Sequence, residues 1–352
     1  MMNGDEGQLN HDQAREVLSA VLGDCADGTV DVCLPLWMGA LARTLGRALD
    51  SLGCTARVDL LPEPNPAVMS VSACADCWVP AQGRGADLLV LCGVRPWREA
   101  VDGDHHVELE AMTRREALLA AGQRLLFIDW PRGARRDAEV DLRRLEMAQL
   151  YRRAYALDYE ELRGWNQALA SRLTGADRIQ VTCPEGTALS LSVGGRRWLS
   201  EDCELGPKEP AVYLPGGEIY TAAVEDSATG EVAFRHIGER RLARFEAGLL
   251  VAVERADGAS DDELGEEMGV GFEPLCEFGV GTNPWAPPWQ VGTLYEKSAG
   301  TVHVAVGGNA HFGGLRDSPR HMDLIIRAPQ VEVDGHPLEL PPARWSREPD
   351  AP

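Results

Sequence analysis

Ala86-Asp-Leu-Leu-Val-Leu-Cys92 contains an apolar run with no polar face. A strand with one wet side alternates apolar and polar residues, whereas a strand covered by helices on both faces of a parallel sheet does not need to. Arg124-Leu-Leu-Phe-Ile-Asp129 repeats the pattern. Working outward, helical periodicity over 107–121 and 138–155 flanks this second run. Residues 9–22 (LNHDQAREVLSAVL) read as a helix and Thr29-Val-Asp-Val-Cys-Leu34 as a strand. Leu36 to Leu52 returns to helical spacing and stops at Gly53, and Thr55-Ala-Arg-Val-Asp-Leu-Leu61 reads as another strand. Residues 1–155 therefore read as an α/β layer domain. No GxGxxG or GxxxxGK[ST] follows any of its strands, so no nucleotide site is supported there. Residues 62–85 read as a long loop, either a lid or an irregular insertion.

Tyr159 to Leu173 (YEELRGWNQALASRL) is an amphipathic helix, and from Asp177 onward the pattern changes to short alternating strands separated by turns. The second domain, 156–340, is accordingly expected to be mainly β (α+β). The proline-rich, charged segment 341–352 is expected to form a flexible tail.

The 352 residues suit two domains, and 44% hydrophobic with 25% charged residues is ordinary for a folded soluble chain. No apolar run approaches the length of a membrane span, so no membrane partner is expected. Met1 to Glu16 is polar and acidic, unlike a secretory signal, and a cytoplasmic location is expected. Lys and Arg number 34 against 55 Asp and Glu, a net charge of −21 that repels phosphate backbones and argues against a nucleic-acid partner. The same excess favours metal cations and substrates with a free ammonium group, and it also serves solubility. Nine cysteines without paired short spacings read as reduced thiols. The lone Cys74-Ala-Asp-Cys77 has no second CxxC or His pair to complete a zinc site, so these two read as packing or loop cysteines.

Chemistry concentrates in the last third of the chain. In His321-Met-Asp323 the His and Asp project from one face of a strand, which lets both reach one metal. An isolated HxD is common, and its weight comes from its company. Glu296 and His303 flank a Ser-Ala-Gly turn, and a hairpin would place them on adjacent strands. Glu218 follows Pro215-Gly-Gly, which is either a plain turn or a close backbone approach that aims a carboxylate inward. Glu277 stands among apolar residues and glycines, where a carboxylate is costly to bury unless it is paired or bound to a cation. Four carboxylates and two imidazoles exceed the needs of one tetrahedral ion. If they converge, they suit two divalent metals sharing a bridging carboxylate and a water. Trp285, Trp289 and Tyr295, with prolines between them, suit equally a substrate pocket, a dimer interface or a pinned loop.

Pro215-Gly-Gly-Glu218, Glu277-Phe-Gly-Val-Gly-Thr-Asn-Pro284, Glu296-Lys297 with Gly300-Thr-Val-His303-Val-Ala-Val-Gly307, and His321-Met-Asp323 occur in the order and approximate spacing of a known family. This part of the chain, roughly 155–335, resembles the M29 metallo-aminopeptidases, the aminopeptidase T family. The resemblance implies an aminopeptidase T-like fold, with Glu218, Glu277, Glu296, His303, His321 and Asp323 as metal ligands and Glu277 bridging. It further implies two divalent ions (Zn, Co or Mn), a homodimer around an enclosed cavity, and a small peptide or aminoacyl substrate cleaved beside its free amine. On this reading Glu218 relays a proton to the leaving group. Where the family has a tyrosine near its catalytic centre this chain has Ala310 with His311 beside it, so either His311 substitutes for the phenol or the chemistry differs from peptide cleavage. The superfamily also includes ring-cleaving dioxygenases that use one Fe(II) held by two histidines and an aspartate. That is the alternative reaction, and this chain keeps the peptidase residue at Glu277 and the partner of His303. A third reading is a non-catalytic pathway-accessory protein on the same scaffold, for which Ala310 is the warrant.

Overall fold

Helices and strands alternate through the first 156 residues. This computed structural model describes residues 9–22, 28–62, 69–93, 104–130, 138–207, 209–288, 294–318 and 320–344. In chain order the first elements are α1 (His11–Leu22), β1 (Thr29–Pro35), α2 (Gly39–Ser51), β2 (Thr55–Leu61), α3 (Val71–Asp76), β3 (Leu88–Cys92), α4 (Asp104–Ala120), β4 (Arg124–Ile128) and α5 (Ala138–Tyr155). Then come α6 (Tyr159–Leu173), β5 (Arg178–Thr182), β6 (Ala188–Ser192), β7 (Leu199–Glu201), β8 (Ala211–Leu214), β9 (Glu218–Ala222), β10 (Thr229–His236), β11 (Glu239–Glu246) and β12 (Leu249–Arg255). The chain closes with α7 (Asp262–Met268), β13 (Leu275–Gly281), β14 (Val302–Gly307), β15 (His321–Ile326), β16 (Gln330–Val333) and β17 (His336–Pro337).

Contacts divide these elements into two units, one of residues 1–156 with 203–216 and one of 157–202 with 217–352. The first is built on a parallel sheet in the order β2-β1-β3-β4-β8. Every residue of β3 is buried, and so is β4 after Arg124, which is why both strands read as unbroken apolar runs. β8 joins from a 14-residue excursion whose strand periodicity does not announce. Part of the expected loop 62–85 is the short helix α3, whose N-terminus is capped by Ser70 Oγ accepting from Ala73 N at 3.2 Å. Cys74 in this helix and Cys77 at its C-terminal cap are buried thiols, and Cys77 Sγ donates to Ala73 O at 3.3 Å. Residues 63–68 of that loop lie outside the described residues.

The second unit holds two antiparallel sheets, β12-β11-β10-β6-β5-β16-β17 and β15-β14-β13-β9-β7. One core joins them. Ile179, Val181, Val232 and Phe245 come from the seven-stranded sheet, Ile219, Phe278, Val280, Val304 and Leu324 from the five-stranded sheet, and Leu169 and Leu173 from α6. Strand alternation sends the intervening residues of β9, β13, β14 and β15 to the opposite face, and the candidate site is on that face. Of the expected tail, Pro341–Arg344 is described and tied down: Arg344 Nη2 donates to Glu161 Oε1 at 2.7 Å and Arg344 N to Pro284 O at 2.7 Å. Residues 345–352 lie outside the described residues. Among the described residues no helix is long and apolar enough to cross a membrane.

Candidate metal centre

The register of the five-stranded sheet explains how one face accommodates so many bulky polar side chains. Glu218 pairs with Gly281 on β13, and Gly279 lies between Tyr220 and His303. Glu277 lies between Ala222 and Ala305, Asp323 faces Ala305, and His321 faces Gly307. Each of these donors thus has a glycine or alanine beside it. The fit is tightest at Gly279, where an added Cβ would lie 2.1 Å from His303 Nε2. The imidazole occupies the space that a side chain would need.

Glu277 is the centre of the arrangement. Its Oε1 lies 3.3 Å from His303 Nε2 and its Oε2 lies 3.3 Å from His321 Nε2, so each carboxyl oxygen addresses a different imidazole. Glu218 Oε2 is 3.4 Å from the same nitrogen of His303, and Asp323 Oδ1 is 3.6 Å from that of His321. Ligand atoms of Glu277, His321 and Asp323 all lie within 4.8 Å of one another. His321 Nδ1 lies 3.3 Å from Gly308 O and 3.9 Å from Cys276 Sγ, contacts that turn its Nε2 toward the carboxylates. Glu296 corrects one expectation. It lies in a series of turns over 294–300 and not on a hairpin strand, because Lys297 N and Ser298 N bond back to Leu294 O and Tyr295 O. Its carboxyl nevertheless hydrogen-bonds to Asp323. His311 sits exposed on a single 3-10 turn, Ala310–Phe312, with its ring centroid 6.4 Å from that of His321. All six expected donors and His311 are thereby gathered at one place in the second unit.

Two further residues belong to this centre and were not anticipated. Lys297 Nζ, on a side chain only 4% exposed, lies 2.5 Å from Glu218 Oε1, 2.7 Å from Glu201 Oε2 and 2.9 Å from Glu296 Oε1. Glu201 ends the three-residue strand β7 directly opposite Glu218. Lys297 adjoins Glu296 in the quoted motif, which is the only sequence signal for it, and nothing in Leu199-Ser-Glu201 marks Glu201. Trp285 and Tyr295 are half-buried, while Trp289 lies outside the described residues.

The charges do not balance within the protein. Five carboxylates (Glu201, Glu218, Glu277, Glu296, Asp323) face one ammonium, an excess of four negative charges, the amount that two divalent cations neutralise. Without cations, protons must compensate, and the titration of the groups reflects this. Burial pushes Glu218 up to about 7 against the pull of Lys297, and burial also raises Glu296 well above the carboxylate range. Burial disfavours the imidazolium of His303 and His321, but the Glu277 contact raises His303, and Asp323 above all raises His321 well beyond the usual range. Glu277 and Asp323 are held low in spite of burial, Glu277 by bonds to both imidazoles and Asp323 mainly by His321. Glu218 Oε2 is moreover buried without a hydrogen bond. This donor set of carboxylate oxygens and imidazoles, with one carboxyl lying between two imidazoles and an unsatisfied oxygen, fits divalent metal.

No family model matches the sequence, and no curated protein matches it. Solved structures do. The fold superimposes on a 2,5-dihydroxypyridine dioxygenase from Pseudomonas putida with a TM-score of 0.63 and 17% identity, covering 97% of this chain and 99% of that one. It superimposes on wild-type AmpT from Thermus thermophilus, an M29 aminopeptidase, with a TM-score of 0.65 and 16% identity, covering 94% and 97%. The chain, a mixed α/β structure with one parallel and two antiparallel sheets, shares its overall fold with both.

Proposed function

We propose that this chain is a metal-dependent hydrolase of the aminopeptidase T kind, cleaving an amide bond beside a free amine in a small peptide or aminoacyl compound. The observation that carries the reading is Glu277, whose two oxygens face two different imidazoles, each with a further carboxylate. Glu218 and His303 would hold one divalent ion, His321 and Asp323 the other, with Glu277 shared and Glu296 reaching the second through Asp323. The chemistry two such ions supply is Lewis acidity toward a carbonyl and a water acidified toward neutrality. The protein's own contribution is orientation and charge. The acidic wall attracts a substrate ammonium. Glu218 would relay a proton to the leaving group. His311, exposed and with its ring centroid 6.4 Å from that of His321, would donate to a developing oxyanion. A homodimer, a Zn, Co or Mn requirement and a cytoplasmic site of action belong to the same proposal.

The experiment is metal analysis of the purified protein followed by a screen of aminoacyl amides and short peptides with Co, Zn or Mn. About two ions per chain and amide hydrolysis are expected, with Glu277→Ala losing both. The shared fold and the compact Glu277, His321, Asp323 group favour a second reading, a single-iron dioxygenase. One ion per chain, with oxygen consumption under Fe(II) and no hydrolysis under the other metals, would establish that reading instead.

A further inference from the structure

Lys297 is the one ammonium in the centre among the described residues, and its surroundings leave it little freedom. Its side chain is 4% exposed and its Nζ lies 2.5–2.9 Å from an oxygen of each of three carboxylates, with a hydrogen bond to Glu218 Oε1. Its backbone is pinned as well. Lys297 O accepts from Asn283 N at 2.8 Å, Lys297 N donates to Leu294 O at 3.2 Å, and neighbouring Ser298 forms a bridge with Asn283. Asn283 is fully buried. An ammonium buried among three carboxylates inside a packed turn is poorly suited to attack a substrate or pass a proton. It is well suited to orienting the groups it holds.

We propose that Lys297 is the positioning residue that shapes both flanks of the centre, fixing Glu218 on the His303 side and Glu296 on the Asp323 side. The inference rests on the two-ion reading above. Lys297 takes Oε1 of Glu218 and leaves only Oε2 facing His303, so the carboxylate offers one oxygen in a fixed plane. It takes Oε1 of Glu296, which meets Asp323 through its own hydrogen bond. Glu201 completes the device. Directly opposed like charges destabilise a strand pair, and Glu201 stands across from Glu218. The pair is tolerable with the ammonium between them, and its mutual repulsion holds both carboxylates against that cation. The Glu218 flank therefore depends on Lys297 more than the flank of His321 and Asp323, which retains Glu277 and the contact from Gly308 O.

The test is titration of the metal-free, full-length protein with Co(II), followed by calorimetry and by the cobalt absorption spectrum. Wild type is expected to take up two ions. Lys297→Met should keep one ion at near wild-type affinity and bind the other at least tenfold more weakly. Lys297→Met combined with Glu201→Gln, which removes one charge of each sign, should recover part of that loss. Circular dichroism checks that each variant folds, and if Lys297→Met alone does not, the double variant decides by binding the second ion more weakly than wild type. A folded Lys297→Met with both wild-type affinities, or a folded double variant indistinguishable from wild type, overturns the inference and leaves the two-ion reading standing. A wild type that takes up fewer than two ions overturns that reading and the inference with it.

Discussion

At the scale of single residues, the site depends as much on what is small as on what is charged. Gly279 is the sharpest case, since its missing Cβ is the space in which His303 Nε2 lies. Gly279→Ala should displace the imidazole while leaving the core side of β13, with Phe278 and Val280, untouched. Metal affinity is expected to fall by about ten- to a hundredfold, the range found when the support of a ligand is disturbed. Unchanged cobalt binding by a folded variant would show that His303 is not a ligand. A second prediction concerns protons. In the metal-free chain the neighbouring carboxylates raise His303 above the usual imidazole range and His321 well above it, so both hold their protons to higher pH than a free imidazole, and burial pushes Glu218 up to about 7. Ligation requires neutral imidazole and ionised carboxylate, so metal uptake at pH 7 should release protons and affinity should rise with pH through this range. Calorimetry in two buffers of different ionisation heat measures the release. Identical heats in both would mean that the histidines do not bind metal as neutral ligands.

Among the elements, α6 illustrates a local signal that survives into the fold. Asp158 Oδ1 accepts from Glu160 N at 3.0 Å and Glu161 N at 3.1 Å, a side-chain cap on a helix that buries Leu162, Leu169 and Leu173. Asp158→Ala should lower stability by about 1 kcal/mol in urea denaturation and leave metal content unchanged. The strands differ in how plainly they can be read. β3 and β4 are continuous apolar runs because both of their faces are covered, and β15 is legible because His321 and Asp323 alternate with apolar residues. β7 and β8, of three and four residues, are too short for periodicity to register, and their places depend on pairing with distant strands. Glu201 was invisible for the same reason, since its importance comes from facing Glu218 across a register that no local pattern specifies. Tyr295-Glu296-Lys297 looked like a strand because a short run beside a glycine turn satisfies that template. Successive backbone turns from Leu294 to Thr301 compete for the same groups and prevail.

For the molecule as a whole, charge ties the metal centre to stability. A net charge of −21 spread over a surface is screened by salt, but the carboxyl groups of the centre, four more than its one ammonium among the described residues, lie on buried side chains that salt reaches poorly. They are met by ions in the loaded protein and by protons in the empty one, and the second arrangement retains buried carboxylates whose partners are incomplete. Divalent ions that bind only the folded chain stabilise it by mass action, about 2.7 kcal/mol per ion at a hundredfold excess over Kd. For a unit of this size each kcal/mol corresponds to about 2–4 °C in Tm. Chelation should therefore lower the melting temperature of the second unit by about 5–10 °C for each ion removed, and re-addition of Co or Zn should restore it. Differential scanning calorimetry separates this from a general effect of chelator, because every residue assigned to the centre belongs to the second unit and the transition of the first should not move. Because the charges are buried, raising the salt concentration should not replace the metal. A thermogram unchanged by complete metal removal would mean that the cluster balances its charge with protons alone, and the case for resident ions would fail.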